Sequence, residues 1–191
     1  MSARDGGPAT DPEPRFLLAA GAVMHGVLAA TALVWLWLRD RIEVLPERAI
    51  GAYGPLWASG SGLVVGWLAA RLLAVVNPRV RRLREVETMV GSSFANAHDT
   101  AIVLFVTIGA IAEELFFRLA VFDVFGLAGS VAVCVAVNSC LAGLAWLPVA
   151  AVHALVLGLM VQHGLGLLGS TTASAVMNYL NLRRILCGVS K

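Results

Sequence analysis

The chain alternates long apolar runs with short charged segments, and the lengths of the runs decide what they can be. Residues 16–38 carry no formal charge and end beside Trp35 and Trp37. At ~1.5 Å per residue, a helix of that length crosses the ~30 Å hydrocarbon core of a bilayer, and tryptophan favours its interface. A second run, 56–76, is interrupted by Arg71, whose long side chain reaches the nearby interface by snorkelling. Gly62 and Gly66 form a GxxxG within it, a spacing that lets another helix approach closely. Arg79, Arg81, Arg82 and Arg84 then fall within six residues, followed by a polar linker through Gly91, Ser92, Ser93 and Asp99. This segment reads as a solvated loop or an interfacial helix.

From 101 to 182 the sequence is almost continuously apolar, so turn signals must divide it. Breaks are expected at Phe125-Gly126, at Leu147-Pro148 and from His163-Gly164 to Ser170. The predicted helices are 101–124, 127–147, 149–163 and 170–186. The expected fold is therefore all-α, an integral membrane bundle of about six transmembrane helices. Three parts are expected: a disordered N-terminal tail (1–15), two N-terminal transmembrane helices with a basic loop (16–100), and a membrane core (101–191). The tail, with three prolines, two glycines and five charged residues between Ser2 and Arg15, cannot bury enough apolar surface to offset the entropy of ordering. A signal peptide is the competing reading of 16–38, but the run exceeds the usual apolar region of ~7–15 residues.

Composition strengthens the membrane reading. The 191 residues are 59% apolar and 14% charged, with a mean hydropathy of +0.82, against roughly 25% charged for a soluble domain. The net charge of +2 is small and the bases form no continuous stripe, which argues against a nucleic-acid partner. Three cysteines without CxxC spacing give neither a disulfide framework nor a metal site. Six crossings put both termini on one side. If that side is the cytoplasm, it holds Arg4, Arg15, the four arginines at 79–84, Arg183, Arg184 and Lys191, while the outer loops hold only Arg39, Arg41 and Arg48. The excess of positive charge predicts a multi-pass cell-membrane protein with cytoplasmic termini. Asp123, near a helix end, reads as a solvated interfacial charge.

The chemistry concentrates at Glu113, Glu114 and Arg118, within TIGAIAEELFFRLAVF. A carboxylate at mid-membrane costs ~2.5–3.5 kcal/mol even on insertion scales, so two in succession demand a reason. Glu114 and Arg118, four apart with the acid first, are spaced for an ion pair on one helix face. Glu113, rotated by about 100° from Glu114, has no local partner, which suits a general base acting on water. The plainer alternative is a polar lock between helices. A proton or cation site in a small transport subunit is a third reading. Neither HExxH nor GxGD is present, and Ser59-Gly60-Ser61-Gly62 fails GxSG.

The run from Glu113 to Arg118, preceded by the small residues Gly109 and Ala110, resembles the first motif of the CPBP family of CAAX prenyl endopeptidases and bacteriocin-processing proteins. The resemblance covers 101–182. It implies a multi-helix membrane endopeptidase in which Glu113 activates a water, Glu114 and Arg118 form an orienting ion pair, and histidines from two later helices complete the site. Its second motif, FxxxH, falls on Ala142 and Trp146. Its third, a histidine followed four residues later by Asn or Asp, falls on Met177 and Asn181, of which only Asn181 fits. Tryptophan has no basic nitrogen and a thioether is a weak acceptor, so neither replaces imidazole. The resemblance allows a divalent metal, against which the loss of two imidazoles argues.

Among the histidines, His25 lies in the first span, His98 in the linker and His163 at a helix end. His153 is two turns beyond Trp146, with Pro148 between them, and reads by default as a packing residue. Asn138 and Asn178 read as interhelical hydrogen-bonding groups, and Asn138 has the alternative of facing Glu113. The expected function is hydrolysis of peptide bonds in membrane-associated or prenylated substrates, with the bilayer and such substrates as partners. The alternative is an inactive member of the same fold serving in binding, immunity or scaffolding, with Trp146 and Met177 filling the former site.

Overall fold

The computed structural model describes residues 14–95 and 97–189, which form helices and no strand. The elements are α1 (Pro14–Leu38), the short α2 (Val44–Ile50), α3 (Gly54–Val76), α4 (Arg81–Phe94), α5 (Asp99–Glu113), a π-helical segment (Glu114–Val121), α6 (Phe122–Ala142), α7 (Leu147–Gln162) and α8 (Gly166–Val189). The tail expected over 1–15 lies outside the described residues as far as residue 13, and α1 begins at Pro14. Among the described residues, three helical stretches are long and apolar enough to cross a membrane: Ala19–Leu38, Gly54–Val76 and Asp99–Cys140. Leu147–Gln162 is apolar but shorter.

The third stretch is 42 residues long, which as one straight helix would measure roughly 63 Å, about twice the hydrocarbon core. It is not straight. Gly126 sits at φ 63°, ψ −165°, far outside the helical region, and glycine adopts a positive φ without the Cβ clash other residues meet. The break falls where the sequence places it. The next break falls at Gly143 (φ 82°), earlier than the Leu147-Pro148 break expected from the sequence. It ends α6 at Ala142, not at 147, and a 3-10 turn over Leu144–Trp146 leads into α7, because the glycine supplies the positive φ and the proline fits inside the new helix. Pro148 stands in the first turn of α7, where its missing N–H is no loss.

Packing is inverted relative to a soluble bundle. The buried face of α3 is Ala58, Gly62, Gly66, Ala70 and Leu73, mostly small residues at helical spacing. Its bulky side chains Leu56, Trp57, Val64, Trp67 and Leu68 are exposed. Soluble monomers rarely display so much contiguous apolar surface, whereas lipid-facing helices do. The small-residue face of α3 lies along α8, the most extensive helix pair, so the GxxxG that is a slight signal in the sequence is a packing seam. Arg71 is exposed, with its guanidinium 5.5 Å from the Trp67 ring centroid.

Charged residues pair at the helix ends. Arg41 Nη2 donates to Asp123 Oδ1 at 3.1 Å and Arg48 stands 3.9 Å from the same oxygen, joining the segment after α1 to the start of α6. The Asp123 side chain is only 6% exposed. The solvated charge expected there is instead enclosed, because two arginines of the α1–α3 connection close over it. Elsewhere, Asp99 at the start of α5 pairs with Arg183 near the end of α8 at 2.6 Å, and Glu87 of α4 receives both Asn77 and Arg184. The four-arginine segment is thus not a loose loop. α4 is an amphipathic helix that buries Leu83 and Phe94 and leaves Arg81 and Arg84 exposed.

Candidate functional site

Glu113 ends α5, about 21 Å along the helix axis from Asp99. From Glu114 to Val121 the backbone widens into a π-helix, a rare geometry that recurs at functional sites. One carbonyl of this segment is held from outside: the fully buried Ser130 on α6 donates its hydroxyl to the Phe117 oxygen at 2.7 Å.

The two adjacent glutamates face different ways where the π-helix begins. Glu114 is buried, 1% exposed, with Oε1 3.9 Å from Arg118 Nε and the buried Ser170 of α8 beside it. The ion pair read from the i,i+4 spacing is present as a charge contact without a hydrogen bond at Arg118 Nε. Arg118 is also 1% exposed and donates through Nη2 to the Ala154 carbonyl of α7 at 3.4 Å, while Nε and Nη1 have no hydrogen-bond partner.

Glu113 faces the other way, onto a small internal cavity of about 90 Å³. Arg118 of the π-helix, Cys134 and Asn138 of α6, Trp146 of the 3-10 turn, Val149, Ala150 and His153 of α7, and Met177 and Asn178 of α8 complete its wall. Asn138 Nδ2 donates to the Cys134 carbonyl at 2.9 Å. A polar cavity of this size has room and partners for water. Behind Glu113, on α1, His25 Nε2 stands 3.7 Å from Glu113 Oε1, with the imidazole 9% exposed.

A larger apolar cleft of about 600 Å³ runs between α3 and α7, floored by Leu157, Ala173 and Met177. Val149, His153 and Met177 line both spaces, so the cleft and the polar cavity share a wall.

Of the four residues singled out in the sequence, Glu113 and Arg118 line the cavity. Glu114 supports Arg118 from outside it. Asn181 is turned to α8's own Arg184, whose Nη2 donates to Asn181 Oδ1 at 2.9 Å, and is not among the residues lining the cavity. Asn178, three residues earlier, takes that place. Trp146 and Met177 stand on the wall, where the resemblance would put imidazoles. His153 joins them because Pro148 sits in the first turn of α7 without interrupting it, so the helix runs on from the turn that holds Trp146 to His153, seven residues later on the same wall. That spacing was the available signal. For His25 nothing local in the sequence gave one, since its partner is 88 positions away.

Among the described residues, no three His, Cys, Asp or Glu side chains gather as metal ligands. A divalent metal, which the family resemblance would allow, does not fit this set of donors. A partly buried carboxylate, an arginine with free donors, two amides and an imidazole around a space that admits water can activate a water and stabilise a developing oxyanion. The chain matches no family model, no curated protein and no solved structure.

Proposed function

We propose that the chain is a six-crossing membrane protein of the CPBP type that hydrolyses a peptide bond of a lipid-modified or membrane-associated substrate. The observation that carries this reading is Glu113 facing a cavity it shares with Arg118, Asn138, His153 and Asn178, inside an otherwise apolar bundle. The cost of holding such groups at mid-membrane argues for a function beyond packing. Six crossings are supported by the break at Gly126 and by the pairing of charges at the helix ends. The termini then lie on the arginine-rich cytoplasmic side.

In this reading a cavity water gives a proton to Glu113 and its oxygen adds to the scissile carbonyl carbon. Arg118, through its unpartnered donors, stabilises the oxyanion. Glu113 then passes the proton to the nitrogen as the C–N bond breaks, leaving a carboxylic acid and an amine. The apolar cleft beside His153 suits the hydrocarbon part of the substrate.

A second reading, an inactive member of the same fold, is favoured by one observation: Trp146 and Met177 occupy the cavity wall and leave little room. Cleavage of lipidated and hydrophobic reporter peptides by the purified protein in bilayers, beside a Glu113→Gln variant, separates the two. The hydrolytic reading expects cleavage by the parent and a loss of at least about 100-fold in the variant. Absence of cleavage by a folded parent across the panel would favour the inactive reading.

A further inference from the structure

Among the described residues, His25 is the one imidazole within 4 Å of a Glu113 carboxylate oxygen, and its setting is built. The ring packs edge-on against Phe105 of α5, with centroids 5.4 Å apart and planes at 69°. Phe105 is held in turn by Phe94 of α4 at 5.2 Å. The ring also lies over Gly109, where a Cβ would come within 2.8 Å of its Cε1. Any residue but glycine at 109 would push the imidazole away. Aromatic packing on one side and an absent side chain on the other thus point Nε2 at Glu113, 3.7 Å away, just beyond hydrogen-bonding length. Contacts of this kind commonly shorten when substrate binds.

We propose that His25 is a positioning residue for Glu113. As the neutral tautomer carrying its proton on Nε2, it donates to one carboxylate oxygen. This fixes the rotamer and leaves the second oxygen turned to the cavity to receive the proton of the attacking water. The inference deepens the hydrolytic reading of the site and rests on it for the catalytic step. His25 does not touch the cavity water and transfers no proton itself.

The test uses the full chain in bilayers with a farnesylated, internally quenched reporter peptide. His25→Phe keeps the aromatic packing and removes the donor, whereas His25→Gln keeps an N–H of similar reach. The expected result is a kcat about 10- to 100-fold lower in His25→Phe at nearly unchanged KM, the range seen when an orienting partner is lost, with substantial recovery in His25→Gln. If Glu113→Gln abolishes cleavage while His25→Phe leaves kcat intact, the positioning role is overturned and the hydrolytic reading stands. Should the parent not cleave the reporter, nitrogen NMR of the histidine-labelled protein decides the pairing. In that measurement the His25 Nε2 resonance must move on Glu113→Gln, and an unmoved resonance overturns the inference.

Discussion

Gly66 of α3 lies so close to Ala173 of α8 that a Cβ on the glycine would stand 2.4 Å from the alanine carbonyl oxygen. Gly62, one turn earlier, meets the Gly169 oxygen at 2.5 Å in the same way. Because the obstruction is backbone, it cannot rotate aside. Gly66→Val is expected to destabilise the protein by at least about 1–3 kcal/mol, the usual cost of overpacking. Gly60→Ala, where a Cβ meets nothing within 4 Å, is expected to leave stability unchanged or raise it. Thermal unfolding of both variants in the same detergent checks the contrast.

Asp123 gives a second prediction. Its carboxylate is enclosed by Arg41 and Arg48, and Arg48 also lies 5.3 Å from the Phe122 ring centroid. Asp123→Asn keeps the shape and removes the charge, and is expected to cost about 1–2 kcal/mol, less than a fully buried pair because Arg41 is half-exposed. Arg41→Gln should cost under about 1 kcal/mol, since Arg48 remains. Denaturant unfolding at low and high salt tests this, with the Asp123→Asn deficit expected to narrow as salt rises.

Ser130 gives a third. Ser130→Ala removes the donor to the Phe117 carbonyl and is expected to cost about 1–2 kcal/mol. The effect should be local. Amide hydrogen exchange over 114–121 is expected to speed up in the variant, while exchange in α3 and α8 stays unchanged.

The fourth concerns the cavity wall. His153 is the only imidazole on it, beside Trp146 and Met177. If the proposed hydrolysis occurs, His153→Phe, which removes a hydrogen-bonding group from the cavity wall, should lower cleavage of the lipidated reporter by about 10-fold, the scale of one lost polar contact. The double variant Trp146→His, Met177→His should exceed the parent. Equal activity of parent and double variant would show that the missing imidazoles do not matter to this site.

The run lengths, the turn signals and the tight cluster from Glu113 to Arg118 were legible because each is a local property. Apolar length against bilayer thickness predicts helices over 16–38 and 56–76, and the observed α1 and α3 begin two residues earlier while ending at the same residues. Gly126 could be named as a break because glycine is the residue that takes a positive φ without strain. Around the site, only part was legible. Asn181 satisfies the family pattern yet bonds Arg184, and Asn178 reaches the cavity instead, because the face α8 presents depends on how α3 and α7 pack on it. No single-helix periodicity contains that rotation.

By itself, the sequence determined that the chain is helical, that several of its helices are apolar enough for a bilayer, and that the charge within its long apolar segments centres on Glu113, Glu114 and Arg118. Only the tertiary structure decided what lies beyond the local pair, Ser170 beside Glu114, and the cavity and His25 beside Glu113. The physical reason is range. Hydrophobic length, turn chemistry and i,i+4 spacing act within a few residues. A carboxylate's partner inside a bundle is set by which helix faces meet, and here those faces lie far apart along the chain.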